Sequence, residues 1–272
     1  VTPLTAGNAR VKEARKLSRR SVRSERRLFL ADGPKAVEGA LGVPGCVVEV
    51  FATPSAAQEY ADLLAPAEVT LVDDRALASL SDSVNPAGLV ALCNFLDVPA
   101  NHPLWLGESA LMVRRDAPRG PLVAICADIR DPGNAGTVIR CADAAGADAV
   151  VFAGDSVDVY NPKTVRASVG SLFHLPVAIE RDAAAAVRAA REAGLTVLAA
   201  DGGGEVDLFD SDELLARPTA WLLGNEAWGL PEELAALADH RVRIPIHGRA
   251  ESLNLATAAA LCLYASARAQ RG

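Results

Sequence analysis

The sequence predicts an α/β protein built from two units, and three observations carry that expectation. Short apolar or β-branched runs alternate with helical patterns along almost the whole chain. A stretch with Pro99, Pro103 and Pro118 but few periodic positions interrupts the alternation at 97–120. The 272 residues are enough for two domains, and half of them are hydrophobic against 22% charged, a globular composition.

The first unit is expected over residues 1–96. A helical pattern runs from about residue 8 to 23, Arg27–Leu30 opens a strand and Gly33–Leu41 reads as a helix. Cys46–Phe51 is a β-branched strand, and the alternation repeats through Pro54–Leu64, Glu68–Val72, Asp74–Leu80 and Leu89–Phe95. Together these make a small α/β/α unit. Residues 97–120 read as a linker carrying one short apolar piece, Leu104–Val113.

The second unit is expected over residues 121–272. Leu122–Ala127 has the pattern of a buried strand, Ala135–Ala145 of a helix with small residues, and Ala149–Phe152 of a strand. A helix over Lys163–Phe173 and a strand at Val177–Ile179 follow. The Ala-rich helix Ala183–Ala193 ends at Gly194, a glycine placed to cap it. Strands at Thr196–Ala200, Ala220–Leu223 and Val242–Ile246 lead to a last helix from about Ser252 to Arg268. Strands separated by helices imply a mainly parallel sheet with ligand loops at the strands' carboxyl ends.

Charge is distributed unevenly. The formal net charge is −7, yet residues 1–35 hold ten Lys/Arg against three acids, which leaves the remainder at −14. A basic arm on an acidic body suits local docking on phosphates; a solvated amphipathic helix explains the same residues equally well. Arg10, Arg15, Lys16, Arg19 and Arg20 are the candidates on this arm. The five cysteines are scattered without a CxxC pair, so small buried thiols are expected and no metal site. The four histidines show no ligand spacing either. No apolar run approaches the roughly 20 residues of a membrane span. Charges from Arg10 onward leave no signal-peptide core. The expected location is cytoplasmic.

Three loops of the second unit look built for more than packing. In Asp128–Arg140 a tight Asp-Pro-Gly-Asn turn leads into a helix, with Asn134 where a cap would fall and Arg140 about two turns in. An Arg in so apolar a helix calls for an anionic partner. In Leu222–Pro231 two glycines flank Asn225 and Glu226, and Gly224 permits close approach of a ligand to the backbone. In Ile244–Ala256, Ser252 is placed to cap the last helix, with Asn254 in its first turn. Taken singly, each is also explained as a cap, a helix-starting carboxylate or a buried ion pair.

In that order the three segments, D-P-x-N-x-G-x-x-x-R, L-G-N-E-x-x-G-L and I-P-x-x-G-x-x-x-S-L-N, resemble the motifs of the SpoU/TrmH family of SPOUT RNA 2′-O-ribose methyltransferases. Asn161–Phe173 is similar to the family as well. Phe29–Val37 resembles the start of its RNA-substrate-binding domain, with Asp-Gly for the usual Glu-Gly. Cys141, Ala145 and Leu255-Ala256 depart from the common pattern without removing a functional side chain.

The resemblance implies a C-terminal domain with a trefoil knot, an exception to the unknotted-chain rule, and a homodimer. It implies S-adenosylmethionine held near Leu223, Gly224, Asn225, Ile244, Pro245, Ile246, Ser252, Leu253 and Asn254. Arg140 would be the central catalytic residue, with Asn134, Glu226, Ser252 and Asn254 positioning hydroxyl and cofactor, and Arg166 would join the arm on RNA. A structured ribosomal RNA, 23S by resemblance, is the expected substrate; transfer RNA and a non-catalytic RNA-binding role are the alternatives. Asp201-Gly202-Gly203-Gly204 invites a dinucleotide reading but lacks G-x-G-x-x-G spacing and is taken as a turn. No G-x-S-x-G elbow exists.

Overall fold

The computed structural model describes residues 2–99 and 120–272. The chain forms two compact units: Val1–Leu96 with Asp158–His174, and Asp97–Val157 with Leu175–Gly272. The apolar piece Leu104–Val113 lies outside the described residues.

The first unit is built on a mixed sheet of β1 (Leu28–Asp32), β2 (Val47–Ala52), β3 (Val69–Leu71) and β4 (Leu89–Asn94). Its order is β1-β4-β2-β3, with β4 antiparallel to both neighbours and β2 parallel to β3. The single helix expected at 8–23 is instead two, Ala9–Arg15 and Arg20–Arg26, separated by a 3-10 turn and an extended Arg19. Val11, Ala14 and Leu17 still pack into one core with Val72, Leu77 and Leu80. The break leaves carbonyls without helical partners. Arg23, only 2% exposed, donates Nη1 to Leu17 O (2.8 Å) and Ser18 O (2.9 Å).

Arg23 also explains why Asp158–His174 packs with this unit. Its Nε and Nη2 donate to Asp158 Oδ2 at 2.9 and 2.6 Å, so the buried charge is fully paired. Tyr160 stacks on Phe95 with ring centroids 3.9 Å apart and lies 4.6 Å from Phe29. Its hydroxyl accepts from Leu96 N (2.7 Å). The helix expected at Lys163–Phe173 stops at Ser168, and Ser171–Phe173 resumes as a 3-10 turn. Val169 and Gly170 between them take φ of 50° and 90°. A Cβ on Gly170 would stand 2.8 Å from the Lys35 carbonyl oxygen, so close backbone packing dictates both the glycine and the break.

The second unit carries an eight-stranded, wholly parallel sheet: β5 (Val98–Pro99), β6 (Leu122–Ala127), β7 (Ala149–Ala153), β8 (Val177–Glu180), β9 (Thr196–Ala200), β10 (Val206–Asp207), β11 (Thr219–Leu223) and β12 (His240–Arg243). The order is β10-β12-β9-β11-β6-β7-β8-β5. β5 thus comes from the start of the expected linker. The chain steps outward from β6 to β8, then crosses back to the other side of β6, the pattern of a doubly wound sheet.

Every residue of β6, β7 and β11 is buried, as strands covered on both faces must be. On one face the helix Ala183–Glu192 supplies Ala186, Val187 and Ala190. On the other, the helices Pro132–Ala145 and Leu255–Arg271 pack on each other. There the buried Trp221 donates Nε1 to Ser266 Oγ (2.9 Å). Gly194, at φ 82°, closes the Ala-rich helix. β12 ends at Arg243, short of the expected Ile246, because Pro245 has no N–H to continue a ladder. Cys46, Cys93, Cys126 and Cys262 are buried thiols and Cys141 partly so.

Candidate active site

The three loops singled out in the sequence follow β6, β11 and β12, and hydrogen bonds join all three in one chain. Asn254 Nδ2 donates to Asn134 Oδ1 (3.1 Å), and Asn134 Nδ2 donates to Glu226 Oε1 (3.3 Å). The Glu226 carboxylate also accepts from Arg130 N and Asp131 N, both at 3.0 Å. Asn225 ties the first and second loops again, donating Nδ2 to Asp128 O (2.6 Å). Asp128 reaches that position at φ 55°, a conformation an Asp tolerates when its side chain bonds locally. Its Oδ1 accepts from Asp155 N (2.7 Å).

The helix caps differ from those expected. Asp131, not Asn134, caps Pro132–Ala145, accepting from Asn134 N at 2.8 Å. Asn134 therefore stands in the first turn with its amide free to bridge the loops. Asn254, not Ser252, caps Leu255–Arg271, accepting from Ala256 N (2.9 Å) and Thr257 N (3.3 Å). Ser252 is exposed, and its hydroxyl makes no hydrogen bond among the described residues.

The second loop closes on itself. Asn225 and Gly229 exchange two backbone hydrogen bonds of 2.9 Å, and Ala227 N donates to Asn225 Oδ1 (2.8 Å). A Cβ on Gly224 would lie 2.4 Å from the Gly229 carbonyl carbon, so any side chain there would open the loop. Partial desolvation pushes the Glu226 carboxyl up. The Arg130 and Asp131 N–H groups, its own N–H and the Asn134 amide outweigh this, and its pKa is lowered. Glu226 is thus an anion that fixes the first loop.

At the carboxyl ends of β9, β11 and β12 lies a cleft of about 270 Å³. Of the expected cofactor residues, Leu223, Gly224, Asn225, Ile244, Ile246, Ser252 and Leu253 line it, as does Glu226; Pro245 and Asn254 do not. The cleft also takes in Ala200, Asp201, Gly202 and Glu251, which sequence reasoning passed over. Asp201-Gly202 is indeed a turn, yet it follows β9, between the loops after β11 and β12. That strand-end position was the signal available. An apolar floor of Leu223, Val242, Ile244 and Leu255 suits a flat heteroaromatic ring. A rim bearing three carboxylates suits a cationic ligand rather than a polyphosphate.

Arg140 is not buried as its helix suggested. It is exposed, forms no ion pair among the described residues and does not line the cleft. It lies six residues beyond Asn134, roughly 9 Å along the helix. Of the expected RNA-binding residues, Arg10 pairs with Glu49 (2.6 Å), Lys16 with Glu13 (2.6 Å) and Arg166 with Asp82 (2.7 Å). Arg15, Arg19 and Arg20 are exposed without an ion pair among the described residues. Among those residues no group of His, Cys, Asp and Glu is placed to hold a metal ion, and no helix is long and apolar enough to cross a membrane.

A doubly wound parallel sheet with such a cleft is the arrangement of α/β proteins that take a ligand at the carboxyl ends of their strands. Residues 121–264 match the SpoU rRNA Methylase family, and residues 8–91 match the MRM3-like substrate binding domain. The 23S rRNA guanosine 2′-O-methyltransferase RlmP of Bacillus subtilis is 31% identical over 262 residues, 96% of each chain. An AdoMet-bound rRNA methyltransferase from Sinorhizobium meliloti has 33% identity and a TM-score of 0.81 over 98% of this chain and 97% of that one. The SpoU methyltransferase AviRb from Streptomyces viridochromogenes, in complex with AdoMet, has 31% identity and a TM-score of 0.80 over 97% and 99%. This chain belongs to the SpoU rRNA methylase family.

Proposed function

We propose that the protein transfers a methyl group from S-adenosylmethionine to a ribose 2′-hydroxyl of 23S ribosomal RNA, in the cytoplasm and as a homodimer. One observation carries the reading: the Asn254–Asn134–Glu226 chain ties the first loop to the two loops, after β11 and β12, that line the cleft. A scaffold that only bound RNA would have no use for so constrained a pocket. Residues 1–96 serve as the RNA-binding domain, 97–120 as linker and 121–272 as the catalytic domain. A trefoil knot made by the cleft loops belongs to the same reading.

The cofactor supplies an activated methyl group on sulfonium. The chain's part is to orient the 2′-hydroxyl in line and to stabilise the charge that develops as its proton leaves. Leu223, Gly224, Ile244, Ile246 and Leu253 would hold the adenosyl end, Ser252 would position the hydroxyl, and Asn134 would act by holding the loops together. A guanidinium stays protonated, so Arg140 acts as a clamp on the substrate phosphate and developing alkoxide rather than as a proton acceptor. Its exposure and lack of an ion-pair partner among the described residues leave it free for that anion.

Mapping 2′-O-methyl sites in total RNA from cells with and without the gene tests the reading. One 23S site disappears in the deletion and returns with the wild-type gene. It does not return with Arg140→Ala, whose turnover in vitro falls at least about 100-fold while S-adenosylmethionine binding persists. An unchanged map defeats the proposed reaction; a site lost from transfer RNA instead changes the substrate; near-wild-type turnover in Arg140→Ala removes that residue from the mechanism.

A further inference from the structure

We propose that Asp201 is the residue that recognises the ribose diol of the adenosyl cofactor, an inference that rests on the cofactor reading above. A vicinal diol offers two O–H donors and asks for an acceptor held rigidly beside it. Three carboxylates line the cleft: Glu226, Glu251 and Asp201. Glu226 already takes three donors from the first loop. Glu251 is exposed on the irregular stretch before the last helix, where no hydrogen bond holds it among the described residues.

Asp201 differs from both. It directly follows β9, which lies between β12 and β11 in the sheet, so its carboxylate sits between the two loops that frame the cleft. Its backbone is fixed on both sides: Asp201 N donates to Val242 O (3.0 Å), and Gly204 N donates to Asp201 O (2.9 Å). Its Oδ1 accepts from Gly203 N at 2.9 Å, which sets the side-chain rotamer. Oδ2 accepts no hydrogen bond among the described residues, and the Arg241 guanidinium, paired with Glu232, adds only a longer-range attraction. A half-buried carboxylate on a rigid strand end, with one oxygen committed to the turn and the other open, is matched to a ligand hydroxyl. An acid after a central strand of a doubly wound sheet serves ribose in the same way in dinucleotide-binding folds. The Gly-rich turn that fails as a phosphate loop thus has a different use.

Calorimetric titration of the full chain with S-adenosylhomocysteine and with its 2′,3′-dideoxyadenosyl analogue tests this. The wild type should prefer the parent ligand by roughly tenfold or more, the worth of a charge-assisted hydrogen bond. Asp201→Ala and the near-isosteric Asp201→Asn, both checked for unchanged thermal unfolding, should bind the parent more weakly and the analogue as the wild type does, so that the preference collapses. A preference that survives in both variants overturns the assignment of Asp201 while leaving the cofactor reading intact. A wild type that binds neither ligand overturns the cofactor reading, and the assignment with it.

Discussion

At the scale of single residues, Glu226 decides whether the first loop is formed. Its carboxylate accepts from the N–H groups of both Arg130 and Asp131. Because its folded-state pKa is lowered, the contribution is fully present above the unfolded value of about 4.3. It is lost as the pH falls through the folded value. Protection factors at Arg130 and Asp131, their exchange relative to an unfolded chain at the same pH, should therefore be high at neutral pH and fall below about pH 4. Glu226→Gln should remove that pH dependence; a variant that keeps the same acid-induced loss of protection would show that another group holds the loop. This partnership was beyond sequence reasoning, since the acceptor stands 96 residues from its donor. The exchanged caps have the same origin. Asp131 and Asn134 are both good caps by type, as are Ser252 and Asn254, and only the long-range Asn134–Asn254 contact decides which is freed for the site.

At the scale of elements, alternation alone placed the strands well, because fully buried parallel strands such as Leu122–Ala127 leave little else for an apolar run to be. Breaks inside elements were less legible: the split near Arg19 depends on Arg23 finding Asp158, and the stop at Val169 on the approach of Lys35. The split also sorts the basic arm. Arg23 is structural, and Arg10 and Lys16 are already paired, whereas Arg15, Arg19 and Arg20 remain exposed around the 3-10 turn. Replacing Arg15, Arg19 and Arg20 together by Gln should weaken RNA binding. It should also lower the slope of log K against log salt by about two to three, roughly 0.7–0.9 for each phosphate no longer neutralised. Lys16→Gln alone should change the slope by less than about one, the value for a single phosphate. An unchanged slope in the triple variant would place the docking surface elsewhere.

At the scale of the whole molecule, aromatic side chains held in solvent call for a covering surface. Trp228 is 60% exposed and Tyr264 52%, on the closed second loop and the last helix, with Ile246 and Leu253 also exposed beside the cleft. The loop that presents Trp228 is closed by paired backbone hydrogen bonds, which fix the position of its backbone. Exposed aromatic groups of this size are what a second copy of the chain would cover, and aromatic anchors of this kind dominate association energies. Light scattering at micromolar concentration should give twice the chain mass for the wild type. Tyr264→Glu and Trp228→Glu should each shift the protein to the monomer, raising the dimer dissociation constant by at least about 30-fold, the effect of removing one anchor worth about 2 kcal/mol. Circular dichroism should be unchanged in both, since neither side chain belongs to the core. A wild type that is monomeric at that concentration would overturn the dimer, and variants that dimerise as tightly as the wild type would place these aromatics outside the interface.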